Sequence, residues 1–399
     1  MASPPDRRQA LAGRTVMVLD AEQRSALAAI RSLGRAGAKV VSVSADPDAI
    51  GGQSKWSSAL CPCPSAFAPP SQYGLAIDRL AKEHRADMVM PATEQSIRAL
   101  LLAELKNPAF ALPESSVFFA VSDKAEVLRI ANDVGIDTPP QTVLHDPPRA
   151  ALVPNCGFPL VLKPARSIGT SARYGVDYAS STEELSARLD VMPADAFPLL
   201  LQKRVNGVGS GVFLFRWRGE IVARFAHRRV REMPASGGAS VASRSIALSD
   251  APLREAEDLL SRMNWEGLAM IEFKVDQGNG KAYVMEINPR LWGSMQLAID
   301  CGVDFPLLWA TAFLGGKPPE SSSYAVGRTM RSIVGEFEWM LGLARRSRAE
   351  LRLPADFPSR WRALAGLFAL SPRTGFDTLQ LADPVPFLKE FGMWLRSKF

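Results

Sequence analysis

Residues 284–296 read VMEINPRLWGSMQ, and within five positions an acid, an amide and a guanidinium alternate: Glu286, Asn288 and Arg290. Side chains two apart on a strand share a face, so these three project together while Met285, Ile287 and Pro289 point the other way. The preceding LAMIEFKVD alternates likewise, with Met270, Glu272 and Lys274 on one face against Ile271, Phe273 and Val275. If the QGNG turn between the two runs pairs residue 274 with 284, Glu272 lies opposite Glu286. Two carboxylates directly opposed repel each other, so something positive should sit between them. Glu272, Glu286 and Asn288 offer only oxygen ligands. That donor set selects a hard cation, Mg²⁺ or Mn²⁺, of the kind that bridges a few carboxylates to substrate phosphates. Arg290 on the same face could then hold a phosphoryl oxygen. Read alone, the same letters also suit a polar edge strand with two exposed acids.

Two lysines suggest complementary chemistry. In VLKPARSIGTSA, Lys163 ends an apolar strand and precedes a loop of small residues around Gly169, Thr170 and Ser171. Small residues let backbone N–H groups approach phosphate oxygens, and a lysine adds a point charge. The loop is not a Walker A motif, because the lysine precedes the glycine and no GK[ST] follows; an ordinary β-turn is the alternative. Lys124 follows VSD at the start of a helical pattern, where its charge opposes the helix dipole, so a local stabilising role is not obvious. A solvated surface lysine is the alternative there.

The elements that must position these groups fall into two styles. TVMVLD (15–20), the helical SALAAIRSLGRAG and KVVSVS (39–44) form a strand–helix–strand unit, with Ala26, Ile30 and Leu33 on one stripe. DAEQRS stands where a dinucleotide fold would carry G-x-G-x-x-G, so a dinucleotide site is disfavoured. YGLAIDRLAKEHR, DMVMP and ATEQSIRALLLAEL repeat the pattern more loosely, and SDKAEVLRIANDVG (122–135) is a further helix with Ser122 as its N-cap. The proline pairs of IDTPPQTVLHDPP mark a boundary. From residue 157 the chain becomes β-rich, with a RWRGEI hairpin, and after about residue 320 it turns helical again.

Composition excludes several classes. At 399 residues, with 47% apolar and 22% charged residues, the chain is an ordinary globular protein of two or three domains. Cys61 and Cys63 form a lone CPC and Cys156 and Cys301 stand singly, so neither a disulfide framework nor a zinc site is expected, and reduced thiols suit the cytoplasm. No apolar signal region precedes a cleavage site, and the longest greasy run, FPLLWATAFLGG (305–316), is too short to span a bilayer. The net charge of +6 is concentrated in residues 340–399, where ten Lys/Arg face five Asp/Glu.

Taken in order, Lys124, Lys163 with its loop, and the E-x-N-x-R strand opposite Glu272 resemble the ATP-grasp family of carboxylate-activating ligases over roughly residues 15–315. The E-x-N-x-R ending carries most of the likeness, and SDKAEVLRIANDVGIDTP the next part. The resemblance implies an α/β plus α+β architecture. A Rossmann-like pre-ATP-grasp domain would span 1–120, a first ATP-grasp lobe with its linker helix 121–200, a second lobe 201–320, and a helical C-terminal extension 321–399. It further implies that Lys124 and Lys163 contact ATP phosphates and that the loop 166–172, with Ser167, Gly169 and Thr170, covers them. Gln202, the Lys203 carbonyl and the Val205 amide would meet the adenine edge; Glu272, Glu286 and Asn288 would hold Mg²⁺ (or Mn²⁺); Arg290 would stand beside the transferred phosphate. Two departures stand out: the loop is poor in glycine, and the position that often carries a ribose-binding acid falls near Gly209.

The implied reaction is ADP-forming carboxylate–amine ligation through an acyl phosphate, with small-molecule carboxylate and amine substrates and no nucleic acid. It needs no side-chain nucleophile, and His84, His145 and His227 indeed lack triad-like surroundings. In AHRRVREMPASGGASVASRS (226–245), Arg228, Arg229, Arg231 and Arg244 surround a Gly/Ser-rich loop; arginine forks suit carboxylates and phosphates, so this loop is read as closing over the acyl phosphate and an anionic co-substrate. A solvated β-edge is the alternative. The loops after Asp20 and around Thr93-Glu94 either select substrate or cap helices. A carboxyphosphate-forming carboxylase and a non-catalytic ATP-binding sensor or scaffold are the competing functions, the second opposed by the intact metal and lysine set. The basic, aromatic segment 321–399, with Trp361, Phe368, Phe376, Trp394 and Phe399, is expected to pack back on the core, meet a second subunit of a homodimer, or lie peripherally on an anionic membrane.

Overall fold

The structure, a computed structural model, describes residues 9–146, 155–169, 174–235, 237–319, 323–348, 350–351, 353, 357–368 and 371–398. The chain divides into two compact units: the first comprises 1–112, 213–248 and 290–399, the second 113–212 and 249–289.

The first unit opens with a parallel sheet. Strands β1 (Thr15–Val18), β2 (Lys39–Ser44), β3 (Ser57–Pro62) and β4 (Met88–Met90) lie in the order β3-β2-β1-β4. The Val-rich runs are buried on both faces, as helix-covered parallel strands require. Helices α1 (Arg24–Arg35), α2 (Pro70–Glu83) and α3 (Glu94–Leu102) connect them, and Met17, Val41, Tyr73, Ile77, Val89 and Leu100 share one core. Strand order reverses beside β1, because its neighbours β2 and β4 are reached on opposite sides.

The second unit begins with α4 (Ser115–Ser122) and α5 (Lys124–Asp133). Ser122 ends α4 rather than capping α5. The cap is Asp123, whose Oδ1 accepts the N–H groups of Ala125 and Glu126 at 3.0 and 3.3 Å, a stronger acceptor one residue further on. Strands β5 (Gln141–Leu144), β6 (Leu160–Pro164), β7 (Asp177–Ala179) and β8 (Leu199–Lys203) form an antiparallel sheet ordered β5-β8-β6-β7. Helix α6 (Thr182–Asp190) covers it through Leu185 and Leu189.

β9 (Gly207–Trp217) runs through the division at 212/213 and leads by a tight turn into β10 (Glu220–Met233) of the first unit. Arg218 and Gly219 take φ +54° and +84° there, the two positive values that a two-residue hairpin turn demands. β11 (Ala239–Ser245) returns antiparallel to β10. Helix α7 (Asp250–Arg262) and the hairpin β12 (Gly267–Asp276)–β13 (Ala282–Asn288) complete the second unit.

The remainder belongs to the first unit: α8 (Met295–Asp300), α9 (Phe305–Phe313), β14 (Thr329–Arg331), α10 (Ile333–Arg345), α11 (Arg360–Ala365), β15 (Thr374–Phe376) and α12 (Val385–Lys398). This segment is mainly helical, but β14 pairs antiparallel with β11 and β15 parallel with β14. It packs back on α1 and on the stretch between β2 and β3, where Ser54 Oγ donates to Asp383 at 2.7 Å. Arg31 of α1, fully buried, donates from Nε to Asp383 at 2.8 Å, and Arg24 reaches Asp377 at 2.9 Å. No described helix is long and apolar enough to cross a membrane.

Candidate functional site

The hairpin β12–β13 sets the site of the second unit. Glu272 lies opposite Glu286 and Met270 opposite Asn288. Nearer the turn the register differs from the simple alternation: Phe273 faces Val284 and Lys274 faces Tyr283, so residue 274 does not pair with 284. Met285 is the extra residue, a β-bulge that re-aims the strand. It moves Val284 to the buried face with Phe273, while Glu286, two residues on, stays with Glu272 on the other. Both the carboxylate pair and the apolar side are thereby kept. Asn288 Nδ2 donates to Glu286 Oε1 at 3.0 Å, which fixes that carboxylate's orientation.

Two buried lysines converge on these acids. Lys124, the first residue of α5, is 8% exposed; its N–H donates to the Ala165 carbonyl at 2.8 Å. Its Nζ donates to Ser167 Oγ at 2.6 Å and lies 3.4 Å from Glu286 Oε2. The helix start therefore carries a lysine because its charge is directed at a carboxylate. Lys163, on β6, is 6% exposed, and its Nζ is 3.5 Å from the carbonyl of the bulged Met285, at the outer limit of a hydrogen bond. Burial lowers its pKa from 10.5 to about 8; Glu286 and Glu272 resist the fall, and Lys124 and Lys274 add to it. Two buried lysines, Lys124 and Lys163, and two half-buried carboxylates, Glu272 and Glu286, thus lie close together.

The loop after β6 is shaped by contact. The Ser167 carbonyl accepts the Tyr174 N–H at 2.9 Å, and Gly169 lies so close under the Tyr174 ring that a Cβ there would sit 2.5 Å from it and push the ring aside. Thr170 and the rest of the loop to residue 172 lie outside the described residues. On β8, Gln202 is fully buried; its Nε2 donates to Gln141 Oε1 at 3.0 Å, while its own Oε1 has no partner among the described residues. Lys203 Nζ is tied to the Phe158 carbonyl, its N–H donates to Pro140 O at 2.8 Å, and Val205 is buried. The partner Gln141 was not singled out in the sequence, although a glutamine inside the strand QTVL was the available signal.

The arginines belong to the first unit. Arg290 donates from Nη1 to the Leu291 carbonyl at 2.9 Å. Arg228, Arg229 and Arg231 lie in β10 and Arg244 in β11, so they flank the 234–238 turn from strands rather than from the loop; Ser236 lies outside the described residues. Arg228 and Arg244, both exposed, are opposite each other in register. Arg244 Nε also donates to Thr329 Oγ1 at 3.0 Å. Arg229 reaches Glu232 at 2.9 Å. Arg231 is largely buried: it pairs with Glu336 at 2.6 Å, donates to the Gly366 carbonyl, and stacks over Trp339. Behind them, His227 is within 2.7 Å of Ser294 Oγ and is pushed down to about 3 by burial, with Arg229 adding to the effect, so it is a neutral core residue. This also accounts for LWGSMQ: Leu291, Trp292 and Met295 are buried, and Ser294 meets His227.

At the carboxyl end of β1, Asp20 takes φ +58°. Its Oδ2 accepts the N–H groups of Ala92 and Thr93 at 3.0 and 2.9 Å and the Ser96 hydroxyl at 2.6 Å. Thr93 caps α3 through the Ser96 N–H. Burial raises the Asp20 pKa from 3.8 to about 6, against the Ser96 hydrogen bond and with Glu22 adding to the rise.

Comparison with known proteins follows this geometry. Residues 195–333 match a family model described as ATP-grasp in the biosynthetic pathway with Ter operon. No curated protein matches. Among solved structures, L-amino acid ligase from Bacillus licheniformis is 17% identical with a TM-score of 0.59, over 80% of this chain and 79% of that one. The ADP complex of N5-carboxyaminoimidazole ribonucleotide synthetase is 16% identical with a TM-score of 0.62, over 81% and 82%. The biotin carboxylase domain of Hydrogenobacter thermophilus 2-oxoglutarate carboxylase, with MgADP, ADP and bicarbonate, is 17% identical with a TM-score of 0.61, over 79% and 73%.

Proposed function

We propose that this chain is an ATP-grasp protein and an ATP- and Mg²⁺-dependent ligase that activates a substrate carboxylate as an acyl phosphate and joins it to an amine, releasing ADP and phosphate. The observation that carries this reading is the pair Glu272–Glu286, opposed in register, with Asn288 alongside and Lys124 and Lys163 buried around it. Such a face can take up a cation through its carboxylates and phosphate oxygens through its lysines.

The donor set fits Mg²⁺. Glu272, Glu286 and Asn288 would supply its oxygen ligands. Among the described residues no group of three or more His, Cys, Asp and Glu could hold a metal by itself, so the cation would arrive with the nucleotide and share its phosphate oxygens. When bound, it would screen the phosphates and the spreading charge of phosphoryl transfer. Lys124 and Lys163 would neutralise phosphate oxygens, and Ser167 would keep the Lys124 ammonium in place. The unpartnered Gln202 Oε1 is an acceptor suited to an amino group such as adenine's, next to the Lys203 and Val205 backbone. The substrate carboxylate attacks the γ-phosphorus and ADP leaves. The amine nitrogen then attacks the acyl carbon, phosphate leaves, and the nitrogen's proton passes to solvent.

For the substrates, Arg228 and Arg244, exposed and opposite each other in register, are the arginines that would offer an anion paired charge-assisted hydrogen bonds. Arg290 would stand beside the transferred phosphate. Arg229 and Arg231, held by Glu232 and Glu336, would support the strand that presents them. ADP and phosphate release, measured across a panel of amino and hydroxy acids with amines, tests the reading. Release stimulated by an acid together with an amine supports it. Stimulation by bicarbonate would favour a carboxyphosphate-forming reaction instead, and tight ATP binding without turnover would favour a sensor or scaffold.

A further inference from the structure

The C-terminal part of the first unit presents two large rings to solvent from a segment that is firmly held. Arg231 and Arg331 share Glu336: Arg231 Nη1 reaches Oε1 at 2.6 Å and Arg331 Nε reaches Oε2 at 2.7 Å. Each arginine then donates from Nη2 to a carbonyl of the segment after α11, Gly366 and Leu367, both at 2.6 Å. Leu351 and Ala363 sink into a core with Val241, Trp339 and Leu343. Yet Trp361 is 84% exposed, and Phe368, next to the second held carbonyl, is 83% exposed. Loose packing is not the reason for that exposure, because the backbone on which these rings stand is clamped by buried guanidiniums.

Their neighbours are cationic. Arg345 ends α10, and Arg345, Arg346 and Arg348 are exposed. Arg360, which opens α11, donates to the Arg346 carbonyl, and Arg348 reaches the Phe357 carbonyl at 3.2 Å, so the two basic groups adjoin. Arg362 is exposed beside Trp361. Glu350, bound to the Ser347 N–H, is the acid among the described residues of this stretch, against five arginines. Here isolated rings protrude among cations, an arrangement that needs no shape complement but does need an anionic, deformable surface. Tryptophan prefers the headgroup level of a bilayer, and arginines pair with lipid phosphates.

We propose that this face docks the protein peripherally on an anionic membrane, with Trp361 and Phe368 entering the headgroup region and Arg345, Arg346, Arg360 and Arg362 facing the lipid phosphates. The docking is independent of the nucleotide chemistry. It is tested by co-sedimenting the full chain with phosphatidylcholine vesicles, with and without phosphatidylglycerol, at low and high salt. Binding is expected to the anionic vesicles alone and to weaken with salt. Trp361→Ala with Phe368→Ala should lower it about ten-fold, since apolar insertion and charge act together. Arg360→Gln with Arg362→Gln should lower it about 25-fold, at about five-fold per arginine. Both double variants should keep the wild-type melting temperature. Absent vesicle binding, equal binding to neutral vesicles, or unchanged binding by both variants would overturn the proposal. Concentration-dependent self-association abolished by Trp361→Ala would overturn it too, by assigning the face to a second copy of the chain.

Discussion

Each unit contains a pair of like charges placed directly opposite each other on antiparallel strands. In the second unit the pair is Glu272–Glu286; in the first it is Arg228–Arg244. The same rule of sheet pairing is broken twice, with different consequences. The carboxylates are half-buried, with Asn288 orienting one of them and buried lysines beside them, so water is a poor substitute for a bound cation. The arginines are exposed, and solvent screens them whether or not an anion is present. On the proposed reading, burial is what makes the first pair a ligand site and leaves the second to solvent. A third arrangement, Arg231–Glu336–Arg331, shows the alternative: two arginines away from solvent share one acid, and each also donates to a main-chain carbonyl.

These contrasts can be broken experimentally. The largest effect is expected in the clamped triad. Glu336→Gln leaves two buried guanidiniums without their acid and should cost about 3–5 kcal/mol in denaturant unfolding; a loss under 1 kcal/mol would mean the triad is not a structural clamp. Next, Glu286→Gln should lower ADP release roughly 10²–10³-fold while the circular dichroism spectrum stays unchanged; wild-type turnover would remove Glu286 from the machinery. Arg228→Ala, on the exposed pair, should raise the apparent KM for the acid or acceptor roughly ten-fold, the scale of one charge-assisted contact, without altering stability. An effect on ATP alone would show that strand to be misread.

The smallest effect concerns Asp20, a buried carboxylate with no lysine beside it. Its folded pKa of about 6 lies above the ordinary value of 3.8, so the folded state holds the proton more tightly than the unfolded chain. Its contribution to stability is therefore greatest below about pH 4 and is lost as pH rises through about 6. Asp20→Asn should raise stability at pH 7.5 by about 1 kcal/mol, the relief of desolvation less the weaker hydrogen bonds of a neutral amide. It should also flatten the decline between those pH values in thermal melts; an unchanged decline would place its origin elsewhere.

Much of this was legible in the sequence because it depends on local alternation. The faces of LAMIEFKVD and VMEINPR, the strand–helix–strand start and the placement of Lys124 at a helix start all follow from short-range period. What could not be read depends on contacts remote in sequence. The bulge at Met285 leaves the letters unchanged, yet it decides that Val284 is buried while Glu286 is not. Asp123 outcompetes Ser122 as a cap because of where α4 ends. Four arginines in one string look equivalent, but a glutamate 105 positions away engages Arg231, and Thr329 engages Arg244. The C-terminal basic excess was visible, whereas the clamp that turns Trp361 and Phe368 outward was not.

The central claim is that Glu272, Glu286 and Asn288 form a face that accepts nucleotide phosphates only with a cation. Calorimetric titration of ADP with Mg²⁺ and with EDTA, in wild type and in Glu286→Gln, tests it most directly. Wild type should bind at least about ten-fold more tightly with Mg²⁺, because the cation offsets the repulsion between the carboxylates and the phosphates, and Glu286→Gln should abolish most of that difference. Equal affinity with and without Mg²⁺, or an unaltered Mg²⁺ dependence in Glu286→Gln, would contradict the account.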